Sequence, residues 1–422
     1  MESETNYIAL AIPFFFLLIG VELLVARLQG RRFYRLNDSI SDLGCGILMQ
    51  LAEIFMKGLL VGAYLWVFEE WRLWALPADS MWVWVGAYIA VDFSYYWYHR
   101  LCHEVNFLWA NHVVHHQSEE YNLTVALRQS TFQDLFGVPF YLWIAFLGVP
   151  PHVFLAVASF GTLYQFWIHT RTVGRMGFLE QILMTPSHHR VHHGRNPIYI
   201  DRNHGGTFIF WDKWFGTFQE ECEPVVYGIT TPLASWNPIW ANAHYWVELA
   251  ALARRCRRPW DKVLVFLKPP GWRPQTLGGF QPPPPVDANT KSWDIPYAKL
   301  LGAYVTVQFT VTLVACALLL FLAEALPVMT VLVACGFATL ELVLFGAMFE
   351  GRRWVFGAEL ARLALLVPAL LVFLPSASLV WALALIVFVF LSVAALIGLR
   401  FHLGLVTHLP GRELGSIAAG GR

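Results

Sequence analysis

About nine runs of mainly apolar residues, 7–26, 43–68, 81–98, 135–149, 152–169, 299–323, 326–349, 359–375 and 378–400, constrain this chain more than any other feature. A hydrocarbon core takes about 20 such residues per helix, and lipid offers the backbone no hydrogen-bond partner, so repeated runs of this length resolve into membrane helices. The expected fold is all-α, a polytopic membrane helical bundle. Composition agrees: 57% of residues are hydrophobic and 14% charged, against about 45–50% and about 25% in an average globular protein. The 29 basic and 29 acidic residues cancel, which excludes the basic footprint of a nucleic-acid binder. The fourth and fifth runs are short and meet at Pro150-Pro151, so they read as a hairpin that enters and returns.

The first run follows Glu2 and Glu4 and is trailed by Arg27, Arg31, Arg32 and Arg35. A cleavable signal peptide carries its positive charge in front, so this segment reads as a retained span. Lysine and arginine in short loops mark the cytoplasmic side. With 27–35 inside, the loop bearing Glu69, Glu70 and Asp79 falls outside, and His99 and Arg100 return inside. The arginines of 170–298, Arg352, Arg353, Arg400 and Arg412 share that side. The expected protein is an integral, multi-pass one of a bacterial inner membrane or the endoplasmic reticulum, with its N-terminus outside and its C-terminus cytoplasmic. Residues 1–270 carry the chemistry, 271–298 are a Pro-rich linker with four prolines after Gln281, and 299–422 are C-terminal transmembrane helices without an ionisable cluster. The six cysteines form no CxxC pair, which leaves neither a disulfide framework nor a zinc ribbon.

The histidines are not scattered. His99 and His103 form HxxxH; His112, His115 and His116 form HxxHH; His189, His192 and His193 form a second HxxHH. Residues three and four apart share a helix face, so each group turns its imidazoles into one small volume. Neutral imidazole ligates zinc, copper, iron and nickel, and no thiolate competes here. A catalytic zinc takes three protein ligands, so this many imidazoles exceed one ion and point to a dinuclear metal site in a cytoplasmic histidine-rich cap. His152, His244, His402 and His408 stand alone and read as ordinary interface histidines. Ligating imidazoles usually donate their second N–H to a carboxylate or carbonyl, which singles out Asp92, seven residues before His99, with Glu104, Glu119, Glu120 and Asp134. Bis-histidine haem ligation wants single histidines on separate spans, and a metal transporter places its ligands near the midplane; clusters at helix ends disfavour both.

HRLCHE, HVVHH and SHHRVHHGRN together resemble the eight-histidine signature of the fatty acid hydroxylase and sterol desaturase superfamily. LWANHVVHHQSEEYNLTVALRQS, QFWIHT, IFWDKWFGTFQEE and VVYGIT are similar, within it, to the alkylglycerol (glyceryl-ether) monooxygenases. The likeness is dense over 90–235 and thins through FLKPPGW. It implies that His99, His103, His112, His115, His116, His189, His192 and His193 hold two irons, with His169 and His188 as further ligands. It also marks the position of Glu104 as functionally important, and Glu104 and Asp92 are the expected catalytic carboxylates. The implied reaction uses O2 to hydroxylate a lipid carbon beside an ether oxygen, releasing a fatty aldehyde and a glycerol derivative, with tetrahydrobiopterin or another reduced donor supplying electrons. A sterol, fatty acid or carotenoid hydroxylase or desaturase of the same superfamily is the alternative. One departure stands out: RNHGG carries His204 where such proteins tend to have Tyr or Phe.

Overall fold

The computed structural model describes residues 7–286, 290–373 and 379–406; Glu2, Glu4, His408 and Arg412 lie outside them. Every extended regular element among the described residues is helical, with β pairing limited to the isolated bridges Leu183–Phe208 and Gly194–Tyr227. The chain opens with α1 (Tyr7–Leu28), α2 (Leu36–Trp71), α3 (Met81–Glu104) and α4 (Asn106–His116). Short helices α5 (Leu123–Ala126), α6 (Gln133–Gly137) and α7 (Leu142–Leu147) follow, then α8 (Pro151–Trp167). The cap is completed by α9 (Pro186–His192), α10 (Phe210–Phe215), α11 (Pro238–Arg255) and α12 (Pro259–Leu267). Four long helices close the chain: α13 (Lys299–Leu322), α14 (Val328–Phe349), α15 (Val355–Phe373) and α16 (Leu379–Val406). Proline at the first helical position starts α8, α9, α11 and α12, where its missing N–H costs nothing.

Among the described residues, five helices are long and apolar enough to cross a membrane: Leu10–Leu28, Leu36–Trp71, Lys299–Ala325, Val328–Phe349 and Val380–Phe401. The other runs carry polar groups or breaks. Asp92, Ser94, His99 and His103 interrupt α3, and the 135–149 run divides into α6, a 3-10 turn at Val138–Phe140 and α7. The turn between α7 and α8 packs on the loop between α2 and α3: Leu73 N donates to Phe146 O (2.8 Å), and Tyr64 Oη donates to Val149 O (3.0 Å). Gly148 makes that contact possible, because with φ +92° a Cβ there would lie 1.9 Å from Trp74 O. The α6–α8 hairpin therefore reaches the end of α3 remote from the cap, and α8 leads back to His169.

The first basic loop lies against the cap. Asn122 Nδ2 and Arg171 Nη2 both donate to Phe33 O (2.7 and 2.9 Å), while Arg35 and Arg171 share Glu120. The proline-rich stretch is tied down as well: Trp293 N donates to Glu119 Oε2 (2.9 Å), and Trp293 O accepts from Arg35 Nη1 (2.9 Å).

The C-terminal helices pack on α2, where Ile40, Ile47, Leu48 and Leu51 join Val305, Phe309, Leu342, Phe345 and Leu363 in one core. Here the sequence reading is corrected, since these helices do contain an ionisable cluster. Arg362 donates to Glu341, to Glu359 Oε1 and Oε2 (2.7 Å each) and to Gln308 Oε1 (2.7 Å). Glu359 lies in α15 and Glu341 in α14, far apart in sequence, so their shared partner is visible only after the helices pack. A charge at such depth is costly unless paired, and this pairing meets that demand.

Candidate metal centre

One short connection and two returns of the chain bring the histidine groups together. A single extended residue, Val105 (φ −127°, ψ 116°), separates α3 from α4, so His99 and His103 at the end of one face His112, His115 and His116 on the other. His169 follows the end of α8, and α9 with its C-cap His193 brings the last box. The result is two buried groups, His99, His103, His112, His116 and His192 in one and His115, His169, His189 and His193 in the other, with ligand atoms within 4.8 Å of one another inside each.

Hydrogen bonds fix which nitrogen carries the proton in several rings. Carbonyl oxygens only accept, so Nδ1 donates to His204 O in His99 (2.8 Å), to Arg128 O in His115 (2.9 Å), to Gln165 O in His169 (2.7 Å) and to Arg202 O in His192 (2.9 Å). Each of those rings is left with a bare Nε2. His115 Nε2 and His169 Nε2 then face each other at 3.2 Å, two lone pairs with no proton between them. His99 Nε2 and His112 Nε2 approach to 3.0 Å, as do His169 Nε2 and His189 Nε2. The opposed lone pairs of His115 and His169 repel unless a cation lies between them. A proton is a poor candidate, because burial first, then neighbouring imidazoles, push His112, His116, His189 and His193 well below their ordinary range. Burial likewise brings His115 down to about 4. In addition, His103 Nε2, His192 Nε2, His193 Nε2 and His189 Nδ1 are buried without a hydrogen-bond partner. This all-imidazole, neutral, inward-facing donor set fits a divalent first-row metal such as iron.

Other candidates are placed elsewhere. His188 is in neither group: its Nδ1 accepts from Thr185 N (3.4 Å) in a capping box, and its ring lies edge-on to Phe218. One residue is about 100° of helix, so the ring of His188 is turned away from that of its neighbour His189. Glu104 was expected beside an imidazole or cofactor, and instead pairs with Arg100 Nε (2.8 Å), with 41% of its side chain exposed. Asp92 was expected to support a histidine. It instead accepts from Thr207 N (2.6 Å), Phe208 N (3.3 Å) and Trp211 Nε1 (2.9 Å). Seven residues are about 10 Å along a helix, which puts the carboxylate two turns from His99. Its partners belong to the loop after His204, and Gly206 lets that loop approach, since a Cβ there would lie 2.8 Å from Asp92 Oδ1. Glu119 and Glu120 hold the linker and the basic loop rather than a ring. Sequence reasoning missed the carbonyl partners, which belong to no residue type, and Asp201, whose Oδ1 stands 3.4 Å from His103 Nδ1.

A cavity of about 530 Å³ is lined by His103, His116 and His192 of the first group and His193 of the second. Trp109, Tyr245, Trp272 and Phe280 supply aromatic walls, Arg195 and Glu248 charge, and Pro282–Pro284 of the linker part of the rim.

The fatty acid hydroxylase family profile matches residues 84–217, the span holding every residue of both histidine groups. Alkylglycerol monooxygenase of Homo sapiens is 40% identical over 355 residues, covering 83% of this chain and 80% of the relative. That of Danio rerio is 38% identical over 375 residues, 87% and 82% of the two chains. An ornithine lipid hydroxylase of Rhizobium tropici is 28% identical over 234 residues, 54% and 64%. No solved structure matches the chain. With identity at that level running through most of both chains, the protein belongs to the alkylglycerol monooxygenase family and is an oxidoreductase of the monooxygenase class.

Proposed function

We propose that the chain is a di-iron, O2-dependent membrane monooxygenase that cleaves the ether bond of alkylglycerols. The observation that carries the reading is the opposed pair of bare nitrogens, His115 Nε2 and His169 Nε2 at 3.2 Å, within one of two buried imidazole groups. His99, His103, His112, His116 and His192 would hold one iron, and His115, His169, His189 and His193 the other. When bound, iron supplies the O2 chemistry that delivers one oxygen atom to a carbon–hydrogen bond. The second oxygen atom leaves as water, using two electrons and two protons from a reductant. Hydroxylation of the carbon beside the ether oxygen gives a hemiacetal, which breaks to a fatty aldehyde and a free glycerol hydroxyl.

The protein's own residues orient and shield. Carbonyls of Arg128, Gln165, Arg202 and His204 hold four rings with Nε2 inward, and burial keeps the imidazoles neutral and ready to ligate. We assign the reductant as a reduced pterin, tetrahydrobiopterin, and the cavity's flat walls at Trp109, Trp272 and Phe280 support a planar ring beside the metals. We further place residues 1–270 as the oxygenase domain and 299–422 as the helices that anchor it, with the cap and C-terminus cytoplasmic. The contacts of the 27–35 and 350–354 loops with the cap support one side for the basic clusters, through Phe33 with Arg171 and through Glu350 with Trp236 N (2.8 Å).

The test compares an alkylglycerol with its ester analogue and with a free fatty acid of equal chain length, under O2 and a reduced pterin. Oxygen-dependent aldehyde from the ether alone is the expected result. An untouched ether with a hydroxylated sterol or fatty acid would refute ether cleavage while leaving the metal centre intact.

A further inference from the structure

The turn between α11 and α12 carries the densest run of cations in the chain, Arg254, Arg255, Arg257 and Arg258, and Lys262 and Lys268 follow with Asp261 as the acid among them. All six cations are exposed. Elsewhere in the cap Arg35 and Arg171 share Glu120, Arg128 pairs with Asp42 and Arg190 with Glu221, whereas no ion pair among the described residues includes an arginine of this turn. A run of solvated cations is ordinary by itself; the helix that follows it is not. In α12, Trp260, Val263 and Leu267 are 65%, 45% and 54% exposed. At 100° per residue they fall within about 60° of one another, opposite the fully buried Val265. The helix is therefore apolar on its outer side as well as its inner one. On α11, Trp240 and Val247 are exposed seven residues apart on one face, and Arg254 continues that row.

Contacts tie this pair of helices to the ends of the long ones. Ser235 Oγ and Trp236 N, just before α11, both donate to Glu350 Oε1 at the end of α14 (2.6 and 2.8 Å). In the middle of α11, Trp246 packs edge-on to Phe107, which packs in turn on Phe136 of the α6–α8 hairpin (centroids 5.3 and 5.2 Å). The end of α12 is held at the start of α4, just past α3: Asn106 N donates to Lys268 O (3.0 Å) and Asn106 Nδ2 to Val265 O (2.8 Å). Anchored at α14, α6 and α3 in turn, the pair runs across the end of the bundle rather than along it. An exposed apolar stripe flanked by cations in that place has the form of an interfacial helix. Its apolar side enters the lipid boundary, tryptophan settles at headgroup level, and lysine and arginine meet anionic headgroups.

We propose that the outer face of α12 and the Arg254–Arg258 turn dock on the anionic headgroup surface of the membrane in which the chain is embedded. Charge favours lipid over a protein partner: six cations against one acid around an apolar stripe suit a surface that carries phosphates. The same element borders the cavity, through Ala251, Leu252 and Arg255 of α11 and through Pro270 and Trp272 after α12. Docking therefore sets that border against the leaflet, where an alkyl chain can pass between lipid and cavity without crossing bulk water. The inference rests on the membrane placement of the chain and not on its ether chemistry, so a failed ether-cleavage assay leaves it standing.

The experiment places a nitroxide at Val263→Cys in the full-length chain carrying Cys222→Ser and Cys335→Ser, in nanodiscs of phosphatidylcholine alone or in equal parts with phosphatidylglycerol. A nitroxide on the native Cys222, which is exposed in the cap, is the aqueous reference, with Cys335→Ser in the same chain. In the mixed discs the label at 263 is expected to favour collision with oxygen over a water-soluble nickel chelate at least about fivefold more than the label at 222 does. That preference is expected to fall at least about twofold in phosphatidylcholine alone, and equally in Arg254→Gln/Arg257→Gln/Arg258→Gln in the mixed discs. A label at 263 as open to the chelate as the one at 222 overturns the proposal. A label shielded from both reagents overturns it too, since protein then covers the face. A lipid-facing label that responds neither to lipid charge nor to loss of the arginines overturns the anionic partner.

Discussion

The histidine cap and the Arg362 cluster of the C-terminal bundle both bury polar side chains deeply, and they resolve that burial in opposite ways. Around Arg362, Tyr304 donates to Glu359 (2.6 Å), Thr312 to Glu341 (2.7 Å) and Gln308 Nε2 to Ser392 (2.8 Å), and no side-chain atom of the cluster lacks a partner. In the cap, nitrogens of four histidines within the two groups are left over, and others face one another lone pair to lone pair. A satisfied polar cluster holds helices together. A cluster that its own protein cannot satisfy is built for something that arrives from outside. Burial alone would have ranked the two regions together; the state of the donors and acceptors separates them.

The sharpest way to break this contrast is to remove one ligand from each group. His112→Ala and His189→Ala are each expected to lower turnover by more than about 100-fold, beyond the loss typical of an outer partner, and to deplete iron in a metal assay. Near-normal turnover in either would remove that group from the centre. Arg362→Met does the opposite: it leaves two buried carboxylates without their cation, so we expect destabilisation of about 3–5 kcal/mol in a detergent unfolding assay. Iron per folded chain should stay at the wild-type level, and iron loss there would mean that the bundle contributes to the centre.

Acid gives a graded version of the comparison. Burial holds His115 at about 4, below the ordinary 6.5. A depressed imidazole binds fewer protons folded than unfolded, so its contribution to stability is complete above about 6.5 and is lost as pH falls toward 4. Protons also compete with metal for the same nitrogens. Iron retention should therefore fall through that window, and retention unchanged from pH 7 to 4 would contradict the all-imidazole assignment. The smallest effect is expected at Glu104. Its ion pair with Arg100 is part-exposed, and such pairs contribute about 0–1 kcal/mol. Glu104→Gln should keep its iron and change turnover by less than about tenfold, whereas a fall of 10–100-fold would place the carboxylate beside a ligand or cofactor.

Much of this was legible in the sequence for a physical reason. The spacing three and four keeps the members of HxxHH close together whatever the fold, so eight of the nine histidines could be read locally, but not their division: His115 parts from His112 and His116, and His192 from His189 and His193. His169 is a lone histidine whose neighbours arrive from α4 and α9, and only packing reveals it. The outer partners were illegible, since the search was for carboxylates and the rings use main-chain carbonyls. Asp92 misled for the same reason: a buried carboxylate in α3 does have strong partners, but they are backbone amides of the loop after His204. In the bundle, apolar periodicity located the helices, yet Glu341 read as isolated because its contact with Arg362 crosses between helices, whereas Glu359 and Arg362 stand three apart on one face of α15 and could have been paired from the sequence.

The central claim is that nine histidines in two groups form two metal positions. Anaerobic reconstitution of the full-length protein with ferrous iron, followed by iron and protein quantification on the monodisperse fraction, tests it directly. The account predicts two irons per chain, and one iron or none in folded protein would contradict it.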